Sequence, residues 1–397
     1  MKTLIVSFYY FPELGAAPSR ITNMAEGLQK EGMEVDILTC LPNYPKGKIF
    51  DGYTGKFYLS EKLNGINIFR YWTFATVSKN PLLRILNMLC FSFLLWCFAW
   101  KRKRINSYDT IIIQSPPIMV AYSAMVLFKK IFKKKVVLNV SDLWPMSAVD
   151  LGAVKEGSLY HKVLSYMERF IYKNADAVQG QSNEILKHVE EFEPQKPLFL
   201  YRNLQQDEEM GETTSAQKGK TLKIVYAGLL GIAQDMLSLI KAIDFKAINA
   251  ELHLYGGGNQ TQKIEQYIAE HQTGVVYHGY RSKEEINQVL KEYDASIVPL
   301  AVHIKGAVPS KIFNLLPAGI PILLCGSGEA AEIVENYKIG YTSQPQDYKS
   351  LKENILRLSQ LTDEEYQAIK ENCLHASRTD FNFDTQMKKY AQFLRSL

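Results

Sequence analysis

Cysteine is scarce in these 397 residues: five, an odd number, scattered as Cys40, Cys90, Cys97, Cys325 and Cys373. That argues against a disulfide framework and for a reducing compartment. The seven histidines form no ligand cluster, and no Asp-x-Asp pair stands at a strand end as a cation clamp. No metal site is therefore expected. The dinucleotide fingerprint G-x-G-x-x-G is missing, and no acidic residue caps a second strand at the expected distance, which lowers a nicotinamide-cofactor reading. No signal peptide is expected ahead of Met1–Val6, which run straight into a strand pattern. There is no internal repeat beyond a general strand–helix alternation.

What is present is a globular composition, 47% hydrophobic and 22% charged. The length suits two domains of roughly 200 residues each. The net charge of +5 hides an asymmetry: residues 1–200 hold 25 Lys/Arg against 17 Asp/Glu, the remainder 21 against 24. Nine of the basic residues fall in 101–135, where Asp109 is the sole acid. A basic patch confined to one half suggests a polyanionic partner, anionic lipid or nucleic acid.

Short β-branched or aliphatic runs alternate with longer helical patterns, as parallel βαβ architecture requires. Strands are expected at Leu4–Phe8, Val35–Thr39, Ile66–Tyr71, Thr110–Gln114, Val136–Val140, Ala177–Gly180 and Leu198–Tyr201. A second set is expected at Leu222–Tyr226, Glu251–Tyr255, Val275–His278, Ala295–Pro299, Ile320–Leu324 and Gly340–Thr342. The polar, aperiodic stretch Asn203–Lys220 reads as a junction. The expected division is an α/β domain over 1–202, a linker over 203–220, a second α/β domain over 221–380 and a closing amphipathic helix over 381–397.

The first strand leads through Tyr9-Tyr10-Phe11-Pro12-Glu13-Leu14-Gly15-Ala16-Ala17-Pro18 into a helix. Small residues such as Gly15 at this turn let a ligand approach backbone N–H groups, although an ordinary strand–helix loop reads the same way. The second half repeats the arrangement with Ala227-Gly228-Leu229-Leu230-Gly231 and Gln234. Two such halves suit a ligand held between domains.

Four motifs are more specific: Leu41-Pro42-Asn43-Tyr44-Pro45-Lys46-Gly47-Lys48 leading to Asp51-Gly52-Tyr53; Ser115-Pro116-Pro117; Ser141-Asp142-Leu143-Trp144-Pro145 with Ser147 to Gly152; and Val308-Pro309-Ser310-Lys311-Ile312-Phe313. Their order and spacing resemble glycosyltransferase family 4, and within it the N-acetyl-L-fucosamine transferase branch of colanic acid, O-antigen and capsule assembly. The resemblance runs from the first strand to about residue 345. It implies a GT-B fold, two Rossmann-like domains facing each other across a cleft, with the donor held mainly by the C-terminal one. It also implies a retaining, metal-independent transfer from a UDP-sugar to a polyprenyl-diphosphate-linked saccharide, with no cofactor beyond that donor.

The leaving nucleoside diphosphate gains charge as the glycosidic bond breaks, and without a metal fixed cations and N–H dipoles must stabilise it. Lys305 and Lys311 bracket Gly306-Ala307-Val308-Pro309-Ser310 ahead of a helix, a fitting diphosphate site, or else two solvated lysines. Where many family members carry Glu-x7-Glu, this chain has Gly306 and Asn314. Asn314 can hydrogen-bond a ribose hydroxyl but cannot accept from two as a carboxylate does. Gln234 stands near the family's Lys or Arg. Gly328, Glu329 and Glu332 open the next helix and are candidate donor contacts, or first-turn acids favoured by the helix dipole. Tyr280 lies where the family holds the nucleobase. Asp142 could orient the acceptor hydroxyl or stabilise oxocarbenium charge, or merely cap a helix; Trp144 beside it could be a sugar platform or a buried aromatic.

Pro81 to Trp100 is apolar and abuts Lys101-Arg102-Lys103-Arg104. Thirteen uncharged residues, Met88–Trp100, fall short of the ~20 a spanning helix needs. A buried helix, an interfacial helix and a span compete; aromatics beside cations fit the interfacial one best. Phe91, Leu94, Leu95 and Phe98 share one helical face and are expected to point into lipid, with Lys101 and Arg102 at the headgroups. A nucleic-acid partner would call for arginines and aromatics interleaved on a polar surface and is not expected. The expected location is thus peripheral, on the cytoplasmic face of the plasma membrane. Two other readings stay open: a sugar-nucleotide 2-epimerase, which shares the architecture, and a non-catalytic membrane-docked scaffold.

Overall fold

A computed structural model of the chain describes residues 1–78, 80–100, 102–150, 152–206 and 219–397. The described residues fall into two compact units. The first combines residues 1–206, 305–307 and 383–397; the second holds 219–304 and 308–382. Most of the expected linker, 207–218, lies outside the described residues.

The first unit carries an eight-stranded sheet: β1 (Lys2–Val6), β2 (Glu34–Cys40), β3 (Tyr58–Leu63), β4 (Ile66–Tyr71), β5 (Thr110–Ser115), β6 (Lys135–Val140), β7 (Ala177–Gly180) and β8 (Leu198–Leu200). Their order is β3-β4-β2-β1-β5-β6-β7-β8, and only β3 and β4 run antiparallel. Strands covered on both faces read as unbroken apolar runs, and Ile111, Ile112 and Ile113 are fully buried. β3 is the exception and was not expected, because Tyr58-Leu59-Ser60-Glu61-Lys62-Leu63 is an exposed, polar edge. Its hairpin is set by Asn64 (φ 49°) and Gly65 (φ 84°), the left-handed pair of a two-residue type I′ turn.

The second unit holds β9 (Leu222–Ala227), β10 (Ala250–Tyr255), β11 (Val275–Tyr277), β12 (Ala295–Pro299), β13 (Ile322–Cys325) and β14 (Gly340–Ser343). Their order is β11-β10-β9-β12-β13-β14, parallel throughout. Strand order reverses between β9 and β12, and in the first sheet between β1 and β5. Ligands of such sheets bind outside the carboxyl ends of the strands at the reversal.

The Pro81–Ala99 helix corrects one expectation. Phe91, Leu94, Leu95 and Phe98 do not face outward; they are buried in the first unit's core. Phe91 meets Phe8 edge-on at 5.6 Å, and Phe98 lies 5.4 Å from Phe69. The cause is that the helix is apolar on both faces, so a three–four spacing could not say which face turns inward. Asn87 turns inward too, its amide donating to the Phe74 carbonyl at 2.5 Å. Arg104 sits 4.5 Å over the Phe69 ring rather than projecting freely. Lys101 and the side chain of Arg102 lie outside what the structure describes.

The closing helix, Phe383–Ser396, belongs to the first unit. The Gln386 side chain completes the backbone of Arg202 in both directions, accepting from its N–H at 2.9 Å and donating to its carbonyl at 3.0 Å. Phe199 stacks obliquely on Tyr390 and Phe393. Met387 lies so close to Gly27 of the Ala16–Lys30 helix that a Cβ there would collide with it.

Candidate functional site

In the second unit the reversal between β9 and β12 is lined by backbone. Gly228 (φ +153°) follows β9 and Gly256 (φ +127°) follows β10. A Cβ on Gly256 would strike the Gly228 carbonyl, and one on Gly258 the Leu230 carbonyl. Only glycine lets these turns approach so closely. A Cβ on Gly228 would in turn strike Lys311 Nζ.

Lys311 comes from the short Ser310–Leu315 helix, whose cap is Pro309. Its ammonium lies 3.9 Å over the Tyr226 ring. Burial brings its pKa down from 10.5 to about 7, with no carboxylate among the described residues offsetting the desolvation. A cation without a counter-ion beside a glycine turn is a place for an anion. Ser310 and Asn314 share that helix. The Oδ1 of Asn314 and the Oε1 of Gln234 are buried acceptors with no partner among the described residues. Such orphans are rare in folded proteins and fit hydroxyl or amide donors on a ligand. Gly328 (φ +66°) caps the Glu329–Asn336 helix; Glu329 is buried and Glu332 exposed. Tyr280, past the end of β11, is exposed.

In the first unit Asp142 follows β6. Burial raises its pKa to about 6, and the Arg20 guanidinium nearby draws it down. Arg20 is itself buried, donating through Nη2 to Gln181 Oε1 while its Nε has no partner among the described residues. Gln181 Nε2 donates to the Ser141 carbonyl at 2.5 Å, and Gln114 Nε2 to Ser141 Oγ at 2.8 Å. Asn139 Nδ2 donates to Gln114 Oε1 at 2.5 Å. A chain of hydrogen bonds therefore runs from Arg20, beside Asp142, through Gln181, Ser141 and Gln114 to Asn139 at the ends of β5, β6 and β7, and such networks fix side-chain geometry. Trp144 is half-buried against the core, held by the fully buried Leu143. Gly15 (φ 135°) caps the Ala16–Lys30 helix.

Both halves match families of one enzyme class. The family model described as "Glycosyl transferase 4-like domain" matches residues 15–197, and that described as "Glycosyl transferases group 1" matches 208–374. The chain is a GT-B glycosyltransferase. WbjE of Pseudomonas aeruginosa, named as a glycosyltransferase, is 25% identical over 66% of this chain and 68% of its own. WcaI of Escherichia coli, named as a colanic acid biosynthesis glycosyl transferase, is 22% identical over 89% and 91%. HepE of Anabaena, solved in complex with UDP, superposes with a TM-score of 0.71 at 13% identity, covering 100% of both chains.

Within this glycosyltransferase the expected site residues separate. Lys311 meets Gly228, Ser310 and Asn314 share its helix, and Gln234 stands in the β9 turn. Lys305 belongs instead to the first unit, in a segment where Gly306 N donates to Glu184 at 2.5 Å and its carbonyl accepts from Ser182 Oγ at 2.8 Å. Several residues of the glycosyltransferase escaped the sequence reading. The triplet Gly256-Gly257-Gly258 was a legible signal of a tight turn. Arg20 and Gln181, 161 residues apart, carried none. Glu13 is the third: buried, it accepts from the N–H groups of Asn43 and Tyr44, each at 2.8 Å, and of Tyr10 at 3.2 Å. That bond set explains why the 41–48 motif accompanies Phe11-Pro12-Glu13.

Proposed function

We propose that this glycosyltransferase moves an N-acetylated sugar, with N-acetyl-L-fucosamine the first candidate, from a UDP-sugar to a polyprenyl-diphosphate-linked saccharide. The transfer retains anomeric configuration, uses no metal, and serves cell-surface polysaccharide such as O-antigen or capsule. It takes place at the cytoplasmic face of the plasma membrane, where the enzyme is peripheral. The observation that carries the donor reading is Lys311, a desolvated cation beside the Gly228 turn with no counter-ion among the described residues. A diphosphate supplies the missing charge, and the lysine stabilises it most as the bond breaks. Asn314 offers its buried oxygen to a ribose hydroxyl. Asp142, ionised above about pH 6, orients the acceptor hydroxyl. UDP bound to HepE and the pathway named for WcaI support the nucleotide and the polysaccharide.

Calorimetry with UDP, GDP and dTDP, with and without EDTA, tests this. UDP is expected to bind tightest and chelation to leave activity intact. Tighter GDP binding, or activity lost to EDTA and restored by Mg²⁺, would overturn the reading. Lys311→Ala is expected to cut turnover by ~100-fold, the scale of one lost transition-state contact, with the fold unchanged.

A further inference from the structure

The Pro81–Ala99 helix leaves its second apolar face without a partner among the described residues. Leu82, Leu86, Leu89, Phe93, Trp96 and Trp100 lie three or four residues apart and are all exposed, Phe93 by 70% and Trp100 by 88%. Singly exposed apolar residues are ordinary, but a continuous stripe of this length marks a docking face.

A second helix adds to it. Helix Leu159–Asn174 packs on helix Ile118–Ala124, and so does Pro81–Ala99, so the three lie side by side. The outward face of Leu159–Asn174 carries Leu159, Val163 and Tyr166, again three and four apart, with exposed Lys162 among them and exposed Arg169 and Lys173 in the turns that follow. Its one acid, Glu168, is buried against His188.

Charge selects the occupant. Residues 81–106 carry five Lys or Arg and no acid, and residues 118–135 another five and no acid. A surface that is apolar and cationic together fits anionic headgroups over an acyl boundary. A second copy of the same face would meet it with like charge, which opposes a homodimer. Among the described residues Leu82–Ala99 is the one helix long and apolar enough to cross a bilayer. Its inner face, however, is filled by the domain's own Phe8 and Phe69. To span, it would have to abandon them.

We infer that the outward faces of these two helices form a monotopic docking surface for an anionic bilayer, with the inner face of Pro81–Ala99 remaining in the protein core. The inference rests on the proposed membrane location and replaces the face first expected to touch lipid.

Flotation of the full chain with vesicles tests it, comparing phosphatidylcholine alone with mixtures containing phosphatidylglycerol, at low and high salt. Binding should rise about tenfold with the anionic lipid and fall again in salt. Leu86→Ser, Phe93→Ser and Trp96→Ser combined should lose about tenfold in binding while melting like the parent, because all three are exposed. Lys162→Glu with Lys173→Glu should lose the anionic increment alone. A triple variant that floats like the parent would overturn the inference. So would sedimentation in vesicle-free buffer revealing a dimer that the triple variant abolishes. Flotation needs no substrate. A chain that floats yet fails to bind UDP removes the donor reading only; one that binds UDP yet never floats removes the membrane location together with the docking surface, whereas a floating triple variant removes the docking surface alone.

Discussion

Lys311 couples chemistry to protons. Its pKa of about 7 lies well below the unfolded 10.5. Unfolding therefore takes up a proton between those values, so its effect on stability is neutral above 10.5 and worsens as pH falls to about 7. Lys311→Met should raise the melting temperature, more at pH 6 than at pH 10, while turnover collapses. A diphosphate should restore the proton. Calorimetry at pH 8 in buffers of different ionisation heat should register proton uptake with UDP, and none in the variant. Absence of uptake in the parent would separate Lys311 from the anion. Asp142 sets the opposite limb: it must lose its proton near pH 6, so kcat/KM should rise through that pH. Arg20→Gln removes the charge that holds the carboxyl down and should move this limb to higher pH. An unmoved limb would show that another group titrates. Lysine 311 was legible because its motif is local; Arg20 was not, because only the folded chain brings it to residues after β6 and β7.

At the scale of elements, Glu13 ties the loop after β1 to the loop after β2. Glu13→Ala strips an acceptor from three backbone amides, two of them in the second loop, on buried Asn43 and exposed Tyr44. The expected cost is about 3 kcal/mol, read by urea unfolding, with Glu13→Gln retaining more than half of the stability. A loss under about 1 kcal/mol would mean that water replaces the carboxylate. The strands were readable because burial on both faces writes itself as apolar runs. β3 was not, since its side chains face solvent, although Asn64-Gly65 advertised the turn. The Pro81–Ala99 helix was found, but its orientation was not. Two apolar faces give no moment to decide between, and the deciding residue is a polar one, Asn87, bonded to Thr73 and Phe74.

At the scale of the whole molecule, the first unit is assembled from distant stretches of chain. Removing residues 383–397 should cost it the Gln386 bonds to Arg202 and the Tyr390 and Phe393 packing. All four tryptophans, Trp72, Trp96, Trp100 and Trp144, belong to this unit. Tryptophan fluorescence should accordingly report earlier thermal unfolding in the truncated chain, while UDP binding, a property assigned to the second unit, persists. Loss of both together would mean that the two units melt as one. The same discontinuity has a meaning for biosynthesis. Every residue of the second unit is joined to the chain before Phe383–Ser396 is made. The N-terminal sheet, although translated first, must therefore wait with the surface of Gly27 and Phe199 uncovered, and domains of a nascent chain ordinarily close in the order they emerge. Here that order is inverted: the first half, begun earliest, closes only when Phe383–Ser396 packs back onto it.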